Sequence, residues 1–495
     1  MLVTGASGYV GGRLVPRLLA RGVTVRCLVR DPRRLDVERW RAAARGGARL
    51  DVVAADALRA ETLSAAVAGC RAVYYLIHSL AGGERGFAER DVTAARNVAE
   101  AAAQAGVQQL IYLGGLGEAR AGLSEHLASR QQTGEALRSA GVPVTELRAA
   151  VVVGSGSISF EMIRYLVERL PVLVAPRWTA TRCQPIAVRD VLDYLLAVLD
   201  EPAAAGRVLE IGGDDVLTYG EMMLGYARVR GLRRWLINVP VLTPRLSSLW
   251  VNLVTPIPSA LARPLIEGLR TEVVVRDDAA RGLFPDIRPL GYAEAVRLAL
   301  VRGRENTVET AWSDSSSSAG DRAPAVDVSQ REGLIVERRE RDVAAPPGDV
   351  WRVVASLGGR TGWLYADALW ELRGLVDRVC GGPGLRRGRR DAVDLRAGDA
   401  CDFWRVLEID PGRRLKLGAE MKLPGRAWLE LVVEPRDGGG SRLRVTATFE
   451  PRGLPGLLYW WALYPAHAAI FSGLVRRIAQ RAEGPRAGDA VRPAA

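Results

Sequence analysis

The run Thr4-Gly5-Ala6-Ser7-Gly8-Tyr9-Val10-Gly11 stands almost at the first residue, between an apolar stretch and an amphipathic one. Met1 to Thr4 reads as a buried strand. Val10, Leu14, Val15, Leu18 and Leu19 recur at intervals of three and four, as on one face of a helix. Gly5 permits a tight turn between the two, Gly8 lets an anion approach the backbone, and Gly11 lets the helix pack close on the strand. The first helical N–H groups and the positive end of the helix dipole then point at that anion. A second strand, Val23 to Val29, follows. In that setting G-x-x-G-x-x-G reads as the pyrophosphate site of a dinucleotide rather than an ordinary turn.

The end of the second strand sets the choice of dinucleotide. An acidic side chain there would bind ribose hydroxyls, whereas arginine pairs with a 2′-phosphate. The chain has Val29-Arg30-Asp31-Pro32-Arg33-Arg34. Arg30, with Arg33 or Arg34, can clamp a phosphate, so NADP(H) is expected over NAD(H); a solvated basic loop is the alternative. Val52 to Ala57 ends a third strand with Asp56 placed to meet an adenine amino group, and Ala57 beside it. Strand four, Ala72 to Ile77, stops at His78-Ser79, where the backbone should pass the nicotinamide ribose. The expected cofactor contacts are therefore Gly5, Ser7, Gly8, Tyr9, Val10, Gly11, Arg30, Asp56, Ala57 and His78.

Strands alternate with helices as far as about Leu170, which predicts an α/β architecture, a Rossmann-type doubly wound parallel sheet. Strand five is Gln109 to Leu113, a helix runs through Ser124–Ala140, and strand six is Val144 to Val153. Residues 1–302 make one NAD(P)-binding domain, with a substrate region from about 155 to 302. The apolar, proline-broken run 235–266 reads as a lid over it. Residues 303–330, with their serine run, are polar enough to be a linker. Beyond it, Leu334 to Val343 suggests a strand, and Pro346-Pro347-Gly348-Asp349 starts a helix. Strands then alternate in a meander: Leu415, Leu417, Ala419, Met421 and Leu423 share one face, as do Leu443, Val445, Ala447 and Phe449. A long final helix closes residues 331–485, an α+β helix-grip domain in which a helix crosses a curved sheet around an apolar pocket. Residues 486–495 read as a disordered tail.

The 495 residues carry a formal charge of +12, almost wholly from arginine, since Lys416 and Lys422 are the only lysines. The arginines are spread through every element instead of clustering with aromatics, so no nucleic-acid partner is expected. Arg386-Arg387-Gly388-Arg389-Arg390 is the one local run. It reads as a solvated turn, with anion or lipid-headgroup contact as the alternative. Five scattered cysteines and three distant histidines offer neither a disulfide framework nor a metal site, which suits the cytoplasm. Residues 454–474 contain no charged side chain and are long enough to span a bilayer. Pro465 interrupts them, and they stand where a pocket-closing helix is required. That helix is the preferred reading, with insertion or peripheral attachment at the inner face of a membrane, aided by Arg476, Arg477 and Arg481, as alternatives.

The stretches TGASGYVGG at 4–12, CLVRDP at 27–32, YYLIHSL at 74–80, YLGGLG at 112–117, ELRAAVVVG at 146–154 and RCQPIAVRDV at 182–191 resemble an atypical short-chain dehydrogenase/reductase. The likeness is to the NmrA-like and complex-I-accessory-subunit neighbourhood, and to bacterial NAD(P)-binding oxidoreductases that carry an uncharacterised C-terminal domain. GLRRGRR at 384–390, DFWRV at 402–406, AEMKLPGRAWLE at 419–430 and ATFEPRGL at 447–454 resemble the START/polyketide-cyclase class of ligand-binding folds. The resemblance covers nearly the whole chain.

It also shows what is missing. Typical members use a Tyr-x-x-x-Lys pair on the helix after strand five and a serine at that strand's end. Here the matching positions hold His126 and Arg130, and the serine falls at Gly114-Gly115. Arg130 can still bond the nicotinamide ribose, and His126 is the candidate proton donor. The resemblance implies an NADPH-dependent oxidoreductase acting on a small apolar carbonyl, quinone or lipid-like substrate, with a hydrophobic ligand in the C-terminal domain. The missing Tyr, Lys and Ser leave open a non-catalytic NADP(H)-binding redox sensor or scaffold subunit.

Overall fold

A computed structural model describes residues 1–30, 32, 35, 37–78, 87–117, 124–239, 265–304, 326–331, 333–379 and 395–484. The chain forms two compact units, Met1–Ala319 and Gly320–Ala495.

The first unit is built on a seven-stranded sheet. β1 (Leu2–Thr4) is followed by α1 (Gly11–Ala20), β2 (Val25–Val29), α2 (Val37–Ala42), β3 (Leu50–Ala54), α3 (Leu63–Val67) and β4 (Ala72–Tyr75). Then come α4 (Phe87–Gln104), β5 (Gln109–Gly115), α5 (Glu125–Arg138), β6 (Val144–Ala149) and α6 (Ile158–Arg169). The spatial order is Val208–Ile211, β6, β5, β4, β1, β2, β3, all parallel. The order reverses between β1 and β4, and in such sheets a ligand crevice opens beyond the strand ends at that point. Leu14, Val15, Leu18 and Leu19 of α1 are fully buried against Val3, Val25 and Cys27, as their spacing requires. Ser124 caps α5, its hydroxyl accepting the Leu127 N–H at 3.3 Å.

Several elements are shorter than the sequence pattern suggests. β2 begins at Val25, β3 ends at Ala54 and β4 at Tyr75, so Asp56, Ala57 and His78 stand on the loops beyond the strand ends. The expected strand Val144–Val153 is two strands. β6 stops at Ala149, whose carbonyl accepts the Leu116 N–H, and Val152–Val153 leaves the sheet to pair with Ile186–Ala187. The apolar run therefore continues through a bend that opens the crevice. Trp235–Val239, expected in a lid, is a strand paired in parallel with Val172–Pro176; residues 240–264 lie outside the described residues.

The second unit is a seven-stranded antiparallel sheet in the order Val326–Arg331, Leu334–Val343, Ser441–Pro451, Gly425–Pro435, Arg414–Ala419, Trp404–Asp410, Ala400–Cys401. The first of these strands occupies residues expected to be linker, because its backbone pairs with Leu334–Val343 whatever its polarity. The helix Tyr292–Arg304 likewise runs into the expected linker from the other side. Leu415 and Leu417 share the buried face with Leu429, Leu431, Leu443 and Val445. Met421 and Leu423, expected to continue that strand, lie in the loop after Ala419. The helix Pro347–Ala355 and the terminal helix Gly453–Glu483 cover this face, the latter through Phe471, Leu474, Val475 and Ile478. Among the described residues no helix is long and apolar enough to cross a membrane. The tail 485–495 and the arginine run at 386–390 lie outside the described residues.

His467 sits on the terminal helix between Trp460, with ring centroids 5.0 Å apart, and Phe471 at 5.6 Å. Burial, with a further contribution from the Arg373 charge, pushes its pKa from the usual 6.5 down to about 4. The unfolded chain therefore takes up this proton first on acidification. Stability is present in full above about 6.5 and falls as pH drops towards about 4. His467→Gln should flatten that part of the stability–pH profile, measured by urea unfolding. An unchanged profile would contradict the half-buried, neutral imidazole.

Candidate functional site

The glycine turn is shaped by backbone sterics. Gly5 adopts φ +68°, and a Cβ there would stand 2.5 Å from the Leu76 carbonyl oxygen on the neighbouring strand's end. A Cβ on Gly11 would collide with the Gly5 carbonyl. The Gly8 N–H donates to Gly5 O at 2.9 Å, closing the turn directly under the first residues of α1. The result is a cradle with exposed amides at a helix start, the geometry that receives a diphosphate.

Arg13, on the first turn of α1, holds the cradle in place. It is buried, lies 4.1 Å from the Tyr9 ring centroid, and donates to Tyr9 O at 3.1 Å and to Ser155 O at 2.9 Å. It thus ties the turn to the segment that follows the split sixth strand. An arginine within an apolar helix stripe was a legible oddity, but its carbonyl partner 142 residues away was not.

A cavity of about 390 Å³ opens from this turn. Gly5, Gly8, Tyr9, Val10, Gly11, His78 and Arg130 all line it. Its far wall is apolar, formed by residues such as Leu116, Val151, Ile158, Met162, Ile163 and Leu269. Ser7, Arg30, Asp56 and Ala57 are not among its lining residues. Arg30 is exposed beyond the end of β2; Asp31, Arg33 and Arg34 are outside the described residues. Asp56 uses Oδ1 to accept the Leu58 N–H at 3.1 Å, capping its own turn. Ala57 is buried, and its carbonyl accepts from Asn97 at 3.0 Å.

Two groups from α4 and α5 shape the polar side. His78 Nδ1 lies 3.4 Å from Oδ2 of Asp91, a carboxylate only 3% exposed. Burial lowers the His78 pKa, and the Asp91 hydrogen bond opposes that shift. Asp91 was missed in the sequence, yet it falls three and four positions before Ala94 and Ala95, on the buried face of α4. Arg130 donates to the Leu113 carbonyl, and its guanidinium lies 5.2 Å from the Tyr112 ring centroid. The Tyr112 hydroxyl donates back to Arg130 O at 2.9 Å. His126 is on the first turn of α5, four residues before Arg130, and its side chain lies outside the described residues.

The seat of the expected serine is filled. A Cβ on Gly114 would come 2.7 Å from Oε1 of the buried Glu146. That carboxylate is fixed by Arg148 at 2.7 Å and by Arg138. A Cβ on Gly115 would lie 3.1 Å from Leu127 Cδ2. Glycine is required at 114 because Glu146 lies behind it, a tertiary constraint with no local signal.

Residues 5–157 match the family model described as NAD(P)H-binding, and residues 331–474 match one described as a protein of unknown function (DUF2867). A cinnamoyl-CoA reductase of Arabidopsis thaliana is 34% identical over 115 residues, 23% of this chain and 35% of the relative. A ceramide reductase of Caulobacter vibrioides is 29% identical over 245 residues, 48% of this chain and 73% of the relative. The similarity thus spans about a third of the length of the plant reductases. The solved triphenylmethane reductase of Citrobacter sp., complexed with NADP(H), superimposes with a TM-score of 0.47 at 23% identity, covering 60% of this chain and 99% of that one. The first unit is an NAD(P)-binding domain of Rossmann type, and the second is an antiparallel-sheet domain.

Gly11→Val should lower NAD(P)H affinity at least about tenfold, because the new side chain meets backbone rather than a movable neighbour. Fluorescence titration of the purified chain measures this. Affinity equal to the parent's would contradict the cradle.

Proposed function

We propose that the chain is an NADPH-dependent reductase of an apolar carbonyl, quinone or lipid-like compound. The observation that carries this reading is the single cavity joining the glycine cradle to an apolar wall. The cradle fits a dinucleotide, since the close backbone approaches at Gly5 and Gly11 turn the start of α1 toward the cavity. When bound, the nicotinamide would supply a hydride. The protein's own residues do the rest.

The amides at the start of α1, beyond the Gly8 N–H that closes the turn, hold the diphosphate, and Asp56 and Ala57 border the adenine. Arg30, exposed at the end of β2, meets the 2′-phosphate as a planar, permanently charged fork. Arg130, fixed on the Leu113 carbonyl and the Tyr112 ring, presents its remaining N–H groups to the ribose. Its charge cannot switch at working pH, so it orients and does not exchange protons. His126 supplies the proton that a reduced carbonyl oxygen requires. Leu116, Met162, Ile163 and Leu269 exclude water and accept an apolar body. The two relatives carry the names of reductases, a cinnamoyl-CoA reductase and a ceramide reductase, which supports reductase chemistry here. The second unit, a helix laid across a curved sheet in the manner of a helix-grip fold, captures the hydrophobic ligand. A cytoplasmic site of action accords with the buried free thiols of Cys27, Cys70, Cys183 and Cys401 among the described residues.

A second reading rests on the filled serine seat. With Glu146 behind Gly114, the domain can bind NADP(H) and sense redox state without turnover.

Turnover separates the two. NADPH oxidation followed against quinones and hydrophobic aldehydes should be measurable, and His126→Ala should lower kcat about 100-fold. Tight cofactor retention without turnover would establish the sensor reading. Turnover indifferent to both His126→Ala and Arg130→Ala would refute these site assignments. Arg30→Ala should weaken NADPH about tenfold while sparing NADH, by calorimetry. Equal losses for both would contradict the phosphate contact.

A further inference from the structure

A line of aromatic rings runs through the interior of the second unit. Between ring centroids, Trp404 lies 6.0 Å from Trp363, Trp363 lies 5.3 Å from Trp370, and Trp370 lies 6.5 Å from Phe471. From Phe471 the line continues to His467 at 5.6 Å, then from His467 to Trp460 at 5.0 Å and from Trp460 to Phe449 at 5.5 Å. The sheet contributes Trp404 and Phe449, and the helix Asp367–Val379 contributes Trp370. The terminal helix contributes Trp460, His467 and Phe471. Every step is a ring contact, so these side chains form one continuous path.

Most of the polar edges along this path are unused. Trp363 donates its indole N–H to Asp402 Oδ2 at 3.0 Å. Trp370, Trp404 and Trp460 are only 8%, 4% and 3% exposed, yet their indole N–H groups have no acceptor. Nδ1 of the half-buried His467 is likewise buried without a partner. An indole nitrogen can only donate, and when buried it ordinarily finds an acceptor. Three such donors on one path call for acceptors that the protein itself does not supply. Trp370 is also held inward against the preference of its helix. Asp377, wholly buried, accepts the Lys422 N–H at 2.6 Å, and Arg373 donates to Lys422 O at 3.1 Å. With the helix fixed in this way, Leu369, Leu372, Leu375, Val376 and Val379 are left exposed. An indole is kept inside while leucines face water.

Apolar packing stops short of joining the two ends of the path. Trp363, Trp370, Trp404 and Phe471 belong to one buried cluster, and Phe449 and Trp460 to another. His467 touches a ring of each. On the strand Ser441–Pro451, the buried residue between Val445 and Phe449 on the same face is Ala447, whose methyl group fills little space. We propose that a flat, conjugated ligand bearing carbonyl oxygens binds along this path. Its rings stack on the tryptophans, and its oxygens accept the indole N–H groups of Trp370, Trp404 and Trp460. A quinone or an aryl ketone has this chemistry, whereas a plain hydrocarbon leaves all three donors unmet. The proposal rests on the reading that the second unit captures a hydrophobic ligand, and it names the groups by which that ligand is recognised.

The test is equilibrium dialysis of the full-length chain, without nucleotide, against duroquinone and against durene, the same methylated ring without the oxygens. Duroquinone should bind. Trp370→Phe with Trp460→Phe keeps an aromatic ring at both positions and removes two N–H donors. It should lower duroquinone affinity about tenfold, and durene affinity markedly less. Either substitution alone should give about a threefold loss, which keeps the test open if the double variant does not fold. Neither tryptophan lines the cofactor cavity, so quinone bound there does not respond to these changes. Unchanged circular dichroism and NADPH binding would confirm that the variants are folded. Equal losses for both compounds would overturn recognition by the indoles while leaving hydrophobic capture in place. Binding of neither compound would overturn both readings. Duroquinone binding indifferent to the substitutions would also overturn the proposal, because the quinone would then sit elsewhere in the chain.

Discussion

The first unit depends on how closely its backbone can approach itself between residues 5 and 11. Gly5 turns beneath the Leu76 carbonyl, and Gly11 brings α1 onto the Gly5 carbonyl, with no room for a Cβ at either contact. That approach sets the angle at which α1 leaves β1, and so directs Leu14, Val15, Leu18 and Leu19 into the core beneath β1 and β2. It also aims the free amides of the helix into the crevice between β1 and β4, where the strand order reverses. Arg13 then joins this corner to Ser155, so that the turn and the apolar wall beyond β6 form one cavity.

Around that cavity the polar groups are held more by buried partners than by solvent. Glu146 fills the space behind Gly114 and is itself neutralised by Arg138 and Arg148. Arg130 is anchored at both ends by Tyr112, through its ring and through its hydroxyl. His78 is backed by Asp91 from the next helix. Such fixed groups need little reorganisation to meet a ligand, and they leave the apolar wall to select it. The second unit repeats the theme in a different material. Lys422 backbone bonds to Arg373 and Asp377 dictate which side of a helix meets solvent, against the preference of its leucines.

Much of this could be read from residue order, and the limits have physical causes. The glycine spacing gives the turn, because steric need at Gly5 and Gly11 is local. The alternation of Leu443, Val445, Ala447 and Phe449 gives a strand, since both neighbours bury the same face. The split of the sixth strand was hidden. Val151 to Val153 is as apolar as what precedes it, and only pairing with Ile186–Ala187 draws it away. The strand Val326–Arg331 was hidden for the opposite reason: its composition is that of a linker, and backbone pairing alone orders it. Glu146 and Arg13 act across more than thirty residues of sequence on a glycine or a carbonyl, which no local pattern reveals. The outward leucines of Asp367–Val379 would have been placed inward by periodicity, had hydrogen bonds from a distant loop not decided otherwise.

The central claim is that the amides at the start of α1 grip the diphosphate of an adenine dinucleotide whose nicotinamide end lies toward Arg130. A crystal structure of the full chain grown with NADPH tests it most directly. Density for the diphosphate over the start of α1, with the nicotinamide ribose beside Arg130 and the apolar wall beyond, is the result this account predicts. A nucleotide bound elsewhere, or a cavity that stays free of it at saturating NADPH, would contradict it.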